Sequence, residues 1–467
     1  MERYDLDIKR LSIDDHEILH DISLSIGEGI TVIAGKSGAG KTQLVRRLVP
    51  GLSQIGHLDG TITYGGKNIK DIHPGTIGFV SQNPDNQIVC DRVWHELAFG
   101  LESTGVKSDV IRNRVAEVAT VFGIDPIFEQ TTDTLSGGQK QKVVLASVLC
   151  MNPDVVVMDE PSSMLDPIAT AEFFELVRRL NTDLGVSFII VEHNLDHILE
   201  YADATIYLED GTMADKSLKT KKQKLIEQIG DPKNPYVIEK DKNEDESISK
   251  RKIIYSENSV RKSFGSFTMN IPKLVLHEGV TCIVGPNGAG KSTLARYLSG
   301  FYGKKKFDSV SLLPQDVLMI FVKDTVKEEL ASVAPIPDYI EAELGYLYDR
   351  HPLDISGGEQ HLVALAKIML RGSALTILDE PTKGMDEDYK ERVKSFLKIG
   401  FKDRDVLIIT HDLEFVADIA DDVIFMFGGD IASQGEAHDV LCSNTMYKPV
   451  IAKLWDGALR PEEIKQV

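Results

Sequence analysis

The 467-residue chain is short of cysteine, of positive charge and of long apolar runs. Its four cysteines, Cys90, Cys150, Cys282 and Cys442, lie far apart without paired spacing. That excludes a disulfide framework and leaves no zinc or iron–sulfur pattern to draw through them. Cys150 and Cys282 fall in apolar runs and read as core residues. Lysine and arginine number 52 against 72 acidic residues, a net charge of −20. So acidic a chain repels phosphate backbones, which disfavours sequence-independent nucleic-acid binding. The longest apolar candidate, Val143 to Met158, is broken by Asn152-Pro153-Asp154 and falls short of the ~18–20 residues a membrane span needs. Met1-Glu2-Arg3-Tyr4-Asp5 opens without an apolar stretch, so no secretory signal is expected. What is present is ordinary: 42% apolar and 27% charged residues, enough to fill the cores of two to four globular domains.

The chain is one module written twice. Gly35-Lys36-Ser37-Gly38-Ala39-Gly40-Lys41-Thr42 matches the P-loop pattern G-x-x-x-x-G-K-[ST], and Gly285-Pro286-Asn287-Gly288-Ala289-Gly290-Lys291-Ser292 matches it again 250 residues later. Each follows an apolar strand-like run and opens a helix-like stretch, the context such a loop requires. Further on, Leu135-Ser136-Gly137-Gly138-Gln139 is echoed by Ile355-Ser356-Gly357-Gly358-Glu359. Val155 to Met158 followed by Asp159-Glu160-Pro161 is echoed by Leu375 to Leu378 followed by Asp379-Glu380-Pro381. Ser136 and Glu160 stand 24 positions apart, as do Ser356 and Glu380. Leu165-Asp166 and Met385-Asp386 follow as turns, then a helix and an apolar strand ending at His193 or His411. The copies differ around their glutamines. Lys41 to Gln82 is 41 positions but Lys291 to Gln315 only 24, and Gln82 to Ser136 is 54 but Gln315 to Ser356 only 41. The second copy is therefore expected to lack a strand or hairpin and to carry a shorter helical subdomain.

The order of these motifs resembles that of the ATPase domains of ABC (ATP-binding cassette) proteins, over about 220 residues twice. The resemblance implies an α/β fold: two P-loop nucleotide-binding domains in tandem, each with a RecA-like core and a helical subdomain. The expected bounds are 1–215 and 253–467, the second with a C-terminal extension. Between them lies a charged linker, 216–252, with 11 basic and 7 acidic residues. Leu218–Ile229 is expected as a short helix closing the first domain. The stretch from Asp439 to the end, with Trp455, is expected to pack.

Residue chemistry agrees with the resemblance. Glycines let a loop aim its N–H groups at phosphates, at a helix start whose dipole favours anions. Lys41 and Lys291 would add charge there, and Thr42 and Ser292 would offer hydroxyls to Mg²⁺. Asp159 and Asp379 would stand near the metal, with Gln82 and Gln315 ordering it and the water. Glu160 and Glu380 are the expected general bases, and His193 and His411 would reach the γ-phosphate. The resemblance further implies two ATP molecules, each completed by the Ser-Gly-Gly segment of the opposite domain. Lys41 would then share a site with Ser356-Gly357-Gly358, and Lys291 with Ser136-Gly137-Gly138. For the adenine, Phe264 or Phe267 is a candidate in the second copy, and Tyr4 or His16 in the first.

Gln82-Asn83-Pro84-Asp85-Asn86-Gln87-Ile88-Val89 and Val93 to Gly100 resemble the ATPases of energy-coupling-factor and cobalt-type importers, with a reduced version at Gln315 and Asp324 to Leu330. That resemblance implies ATP-driven uptake of a vitamin or metal ion. It also implies an integral membrane coupling protein and a membrane substrate-binding subunit as partners, with no nucleic acid. The chain would then sit in the cytoplasm, peripheral on the inner face of the membrane. Trp94, Leu97 and Phe99 are candidates for a docking groove. The alternative is a soluble tandem ABC ATPase acting on a ribosome or nucleic-acid complex. Its recycling type carries an iron–sulfur domain, which the cysteine count excludes, and its translation-factor type a longer, basic linker.

Overall fold

The computed structural model describes residues 3–14, 16–52, 56–238, 251–264, 267–383, 385–402, 404–445 and 447–466. The charged run Asp241 to Glu246 and the turn residue Gly384 lie outside them. The chain forms two compact units, Met1–Lys221 and Lys222–Val467.

In the first unit β1 (Tyr4–Ile13), β2 (His16–Ile26), β4 (His57–Tyr64) and β5 (Lys67–Asn68) form an antiparallel sheet ordered β2-β1-β4-β5. A second sheet runs β10-β9-β3-β8-β7-β6, from β3 (Ile30–Gly35), β6 (Ile77–Val80), β7 (Val155–Asp159), β8 (Ser187–Val191), β9 (Ala204–Glu209) and β10 (Thr212–Ala214). All its pairings are parallel except that of β9 with β10. Parallel strands covered on both faces read as continuous apolar runs, which is why every residue of β7 is buried. Alternation along β7 divides two cores. Val155 and Val157 join the antiparallel sheet and α1 (Lys41–Arg47). Val156 and Met158 join α2 (Val93–Ser103), α3 (Ser108–Phe122), α4 (Gly137–Cys150) and α5 (Pro167–Leu184).

The second unit repeats this plan with β12 (Ile253–Phe264), β13 (Phe267–His277), β14 (Val280–Val284), β15 (Val310–Leu313), β16 (Leu375–Asp379), β17 (Val406–Ile409), β18 (Asp422–Phe427) and β19 (Asp430–Glu436). Its main sheet is ordered β15-β16-β17-β14-β18-β19, while β12 and β13 form a lone antiparallel pair. The counterparts of β4 and β5 are missing among the described residues, as the shorter spacing from Lys291 to Gln315 predicts. The helical subdomain is also reduced. The 11 and 15 residues of α2 and α3 face only 6 and 7 in Val326–Ala331 and Asp338–Leu344.

One segment behaves unlike its expectation. The helix predicted to close the first domain begins at Lys221 and runs to Ile229. Its Leu225, Ile226 and Ile229 pack around Trp455 in the C-terminal stretch. Tyr236–Ile238 (β11) then pairs antiparallel with Ile464–Gln466 (β20). Trp455 is fully buried, so the tail packs, and it does so with the chain that follows the first unit. Among the described residues no helix is long and apolar enough to cross a membrane.

Candidate nucleotide sites

In both copies the candidate site residues gather at the C-terminal ends of the central strands. β3 ends at Gly35, and the loop from Lys36 to Gly40 leads into α1. Gly40 caps that helix at φ 89°, where a Cβ would also meet Leu19 Cδ2 at 2.5 Å. Gly290 does the same at φ 100°, against Phe267 Cζ at 2.8 Å. Only glycine satisfies both the conformation and the approach. Lys41 is buried and its Nζ donates to the Gly35 and Lys36 carbonyls, both at 2.8 Å. Lys291 repeats this toward Gly285 (2.7 Å) and Pro286 (3.0 Å). Each lysine is thus folded back over its own glycine-rich loop, a shape suited to holding a phosphate.

Strand register sets the carboxylates opposite the histidines. Asp159 pairs with Val191, and Asp379 with Ile409, each two residues ahead of its histidine. Thr42 Oγ1 donates to Asp159 Oδ1 at 3.1 Å, and in the second copy Ser292 lowers the Asp379 carboxyl against its burial. Burial and the adjacent Glu160 push the Asp159 carboxyl up to about 6, against the opposing pull of Thr42, Arg46 and Lys41. Asp379 is raised for the same reasons. A hydroxyl beside a carboxylate that burial has penalised is a hard-oxygen set suited to Mg²⁺, which takes few protein ligands. The residues fit the metal.

Glu160 and Glu380 have left-handed backbones, φ 47° and 54°. A non-glycine residue held there costs about 1–3 kcal/mol, offset here by N–H bonds to Val191 O (2.9 Å) and Ile409 O (2.8 Å). The strained turn carries each glutamate to its histidine: His193 Nε2 lies 3.0 Å from Glu160 Oε1, and His411 Nδ1 3.0 Å from Glu380 Oε1. Burial would raise the Glu380 carboxyl, but His411, Lys291 and Lys383 outweigh it and hold it below its ordinary value. Burial likewise lowers His411, and Glu380 more than restores it. In the second pair each partner thus favours the other's charged form. Glu380 Oε2 is buried with no hydrogen-bond partner among the described residues. Gln82 Nε2 donates to Glu160 Oε2 at 2.9 Å, whereas the exposed Gln315 side chain makes no hydrogen bond to any described residue.

The Ser-Gly-Gly segments start helices. Ser136 caps α4, its Oγ accepting from Gln139 N (3.3 Å) while Gln139 Oε1 accepts from Ser136 N (2.9 Å). Ser356 caps Gly357–Leu370 in the same way with Glu359, whose carboxylate also takes the Ser356 hydroxyl at 2.7 Å. The first lies on the turn after its own Asp-Glu pair, the second on the helix Glu387–Gly400 beyond that turn. Gly137 lies against Met164, and Gly358 against the ring of Tyr389. The Tyr389 hydroxyl is 3.5 Å from Ser356 Oγ.

Sequence reasoning missed Tyr389, whose counterpart is Ala169, and Glu192, a fully enclosed acid beside His193; neither belongs to a motif. Tyr4 cannot stack a base, being buried with its hydroxyl on Leu48 O at 3.2 Å. His16 is exposed. Phe264 lies tilted against the Tyr302 ring, centroids 4.8 Å apart, and Phe267 lies on the P-loop. Of the docking candidates, Leu97 is core, while Trp94 and Phe99 are partly exposed.

Solved structures match along nearly the whole chain. An archaeal ribosome recycling factor in complex with an archaeal ribosomal stalk protein is 22% identical with a TM-score of 0.65, covering 93% of this chain and 91% of that one. A model of ribosome-bound archaeal Pelota and ABCE1 is 23% identical with a TM-score of 0.67, covering 96% and 80%. At these identities what is shared is the tandem fold. They correct the expectation of a membrane coupling protein and a membrane substrate-binding subunit without nucleic acid, because the full-length matches of this fold are described with ribosomal partners instead. Relatives provisionally named ABC transporter ATP-binding proteins include one from Bacillus thuringiensis subsp. konkukian, 34% identical over 93% of this chain and 92% of its own. Another, from Sulfurisphaera tokodaii, is 32% identical over 91% and 97%. The family model described as ABC transporter matches residues 19–163 and 273–383. With both copies matched and relatives aligned end to end, the chain belongs to the ABC transporter ATP-binding family as a tandem ABC ATPase.

Proposed function

We propose that this ATPase is Mg²⁺-dependent, forms two composite ATP sites within one chain, and does its work on a ribosome or nucleic-acid complex. The observation that carries the catalytic part is the gathering of Lys41, Thr42, Asp159, Glu160, Gln82 and His193 at one sheet end, repeated around Lys291. The loop amides of Gly35 to Gly40 and Gly285 to Gly290, with their lysines, bind the phosphates. Thr42 and Asp159 in one copy, Ser292 and Asp379 in the other, hold the metal, aided by Gln82 and Gln315. Mg²⁺, when bound, neutralises charge on the β- and γ-phosphates. Glu160 and Glu380 take the proton of the attacking water, and His193 and His411 orient them and reach the γ-phosphate.

In the composite arrangement Ser356-Gly357-Gly358 completes the site of Lys41, and Ser136-Gly137-Gly138 that of Lys291. ATP then favours a closed pair of domains and hydrolysis an open one, a population shift that moves whatever is bound. Likeness to ribosome-associated tandem ATPases over the full chain supports the choice of target, and a cytoplasmic setting goes with that reading. The test is co-sedimentation with purified ribosomes under a non-hydrolysable ATP analogue, with ATPase rates measured with and without ribosomes. Binding with a stimulated rate is expected; an unchanged rate and no co-sedimentation would overturn the target.

A second reading is supported by the relatives' names and by exposed Val89 and Phe99 after Gln82. In it the same chemistry drives uptake of a vitamin or metal ion, as in importers of the energy-coupling-factor or cobalt type. Loss of uptake on deleting the gene, with indifference to ribosomes, would favour it.

A further inference from the structure

Beside His193 lies an acid that no step above uses. Glu192 is 3% exposed and sits at the end of β8. Its Oε1 accepts from Ser162 N at 3.0 Å and its Oε2 from His193 N at 3.2 Å. Its own N–H donates to Ile33 O on β3 at 3.2 Å. One buried side chain therefore ties the loop two residues after Glu160 to the backbone of the histidine that Glu160 contacts. Among the described residues the second copy shows no such tie. Thr410 stands in the place of Glu192, also fully buried, and its Oγ1 accepts from Asp412 N at 3.1 Å, on its own strand end.

We infer that Glu192 is a positioning residue for hydrolysis in the first copy: it locks the loop after Glu160 to His193, so that Glu160 and His193 meet in the geometry the attacking water needs. The inference rests on the reading of Glu160 as the base. Burying a carboxyl without need is costly, and burial pushes this one up to about 7 even though the Ser162 bonds pull it down. Two oxygens that each receive an N–H are the pattern of a carboxylate, which accepts only. A glutamine of the same shape would have to point its NH₂ at one of those N–H groups. Either the Ser162 loop or the His193 backbone would then be released. Small displacements of reacting groups cost rate far more than binding.

The test uses the full chain and Mg-ATP, measuring kcat, KM and melting temperature for Glu192→Gln, Glu160→Gln and the double variant. For Glu192→Gln, kcat is expected to fall to within about threefold of the Glu160→Gln value with KM unchanged within about twofold, and the double variant to lose little more, as residues acting as one unit do. Wild-type kcat in Glu192→Gln beside a depressed Glu160→Gln overturns the positioning role alone. A raised KM with kcat kept also overturns it. Wild-type kcat in Glu160→Gln overturns the base reading instead. Should Glu192→Gln not fold, Glu192→Thr, which installs the side chain of the second copy, is measured in its place. If neither folds, Glu192 is architectural and the inference fails.

Discussion

Replacing Glu160 and Glu380 together by glutamine separates binding from hydrolysis. Each glutamate meets a histidine at 3.0 Å, and Glu160 also takes a bond from Gln82 at 2.9 Å. Glutamine keeps the volume and one acceptor for these partners but cannot take a proton. The phosphate cradle of Lys41 and Lys291 is untouched. Glu160 also contributes to the raised state of Asp159, and Glu380 to that of Asp379. Removing both charges therefore eases ionisation of the metal-side aspartates and favours Mg-ATP binding. A general base is worth about 10²–10⁴-fold, or about 3–6 kcal/mol at ~1.4 kcal/mol per decade. Phosphate release should fall by that factor while ATP affinity, followed with a fluorescent analogue, holds or tightens. Hydrolysis at the wild-type rate would refute the assignment. A matching loss of ATP affinity would instead make the glutamates binding residues.

Trp455→Ala removes a fully buried indole from the cluster of Leu225, Ile226 and Ile229; such truncations cost about 3–5 kcal/mol, so the second unit should melt lower by calorimetry, and an unchanged transition would contradict the packing. Lys367→Met leaves the enclosed Glu329 carboxylate without its cation. Breaking a buried pair from one side costs about 3–5 kcal/mol, read as a lower denaturant midpoint, and restoration in the Glu329→Gln, Lys367→Met double variant is expected. Ser356→Ala should impair hydrolysis that depends on Lys41, and Ser136→Ala that depending on Lys291. Rapid-quench traces with Lys41→Ala or Lys291→Ala backgrounds distinguish this from each serine serving its own copy.

Repetition made the fold legible. The equal separation of Ser136 from Glu160 and of Ser356 from Glu380 holds because each pair spans a helix and a buried strand whose lengths the sheet constrains. The shorter interval from Lys291 to Gln315 is the missing β4–β5 hairpin. What stayed hidden depends on partners distant in sequence. The helix Lys221–Ile229 shows an apolar stripe but not that Trp455, more than 200 positions on, would cover it. Tyr4 looks like any exposed aromatic near a strand start until β1 is found in the middle of its sheet. The left-handed turn at Glu160 and Glu380 leaves no sequence signal, because glutamate has no preference for it.

The two copies carry equal motif residues and unequal surroundings. Gln82 reaches Glu160, while Gln315 stands free of Glu380. Gln139 boxes Ser136 with a neutral amide, while Glu359 boxes Ser356 with a carboxylate that occupies its hydroxyl. Glu192 braces His193 where Thr410 braces only its own strand. Each of these differences changes the hydrogen-bond partners of a motif residue without changing the motif itself. An anion arriving at Ser356 must displace a carboxylate from the hydroxyl, whereas at Ser136 it meets a serine whose hydroxyl proton is not committed to its cap partner. Like charge near the arriving phosphate opposes binding where a neutral amide does not. If the two copies bind ATP as proposed, these supporting side chains predict sites of unequal activity, where the motifs alone predict two sites of the same kind.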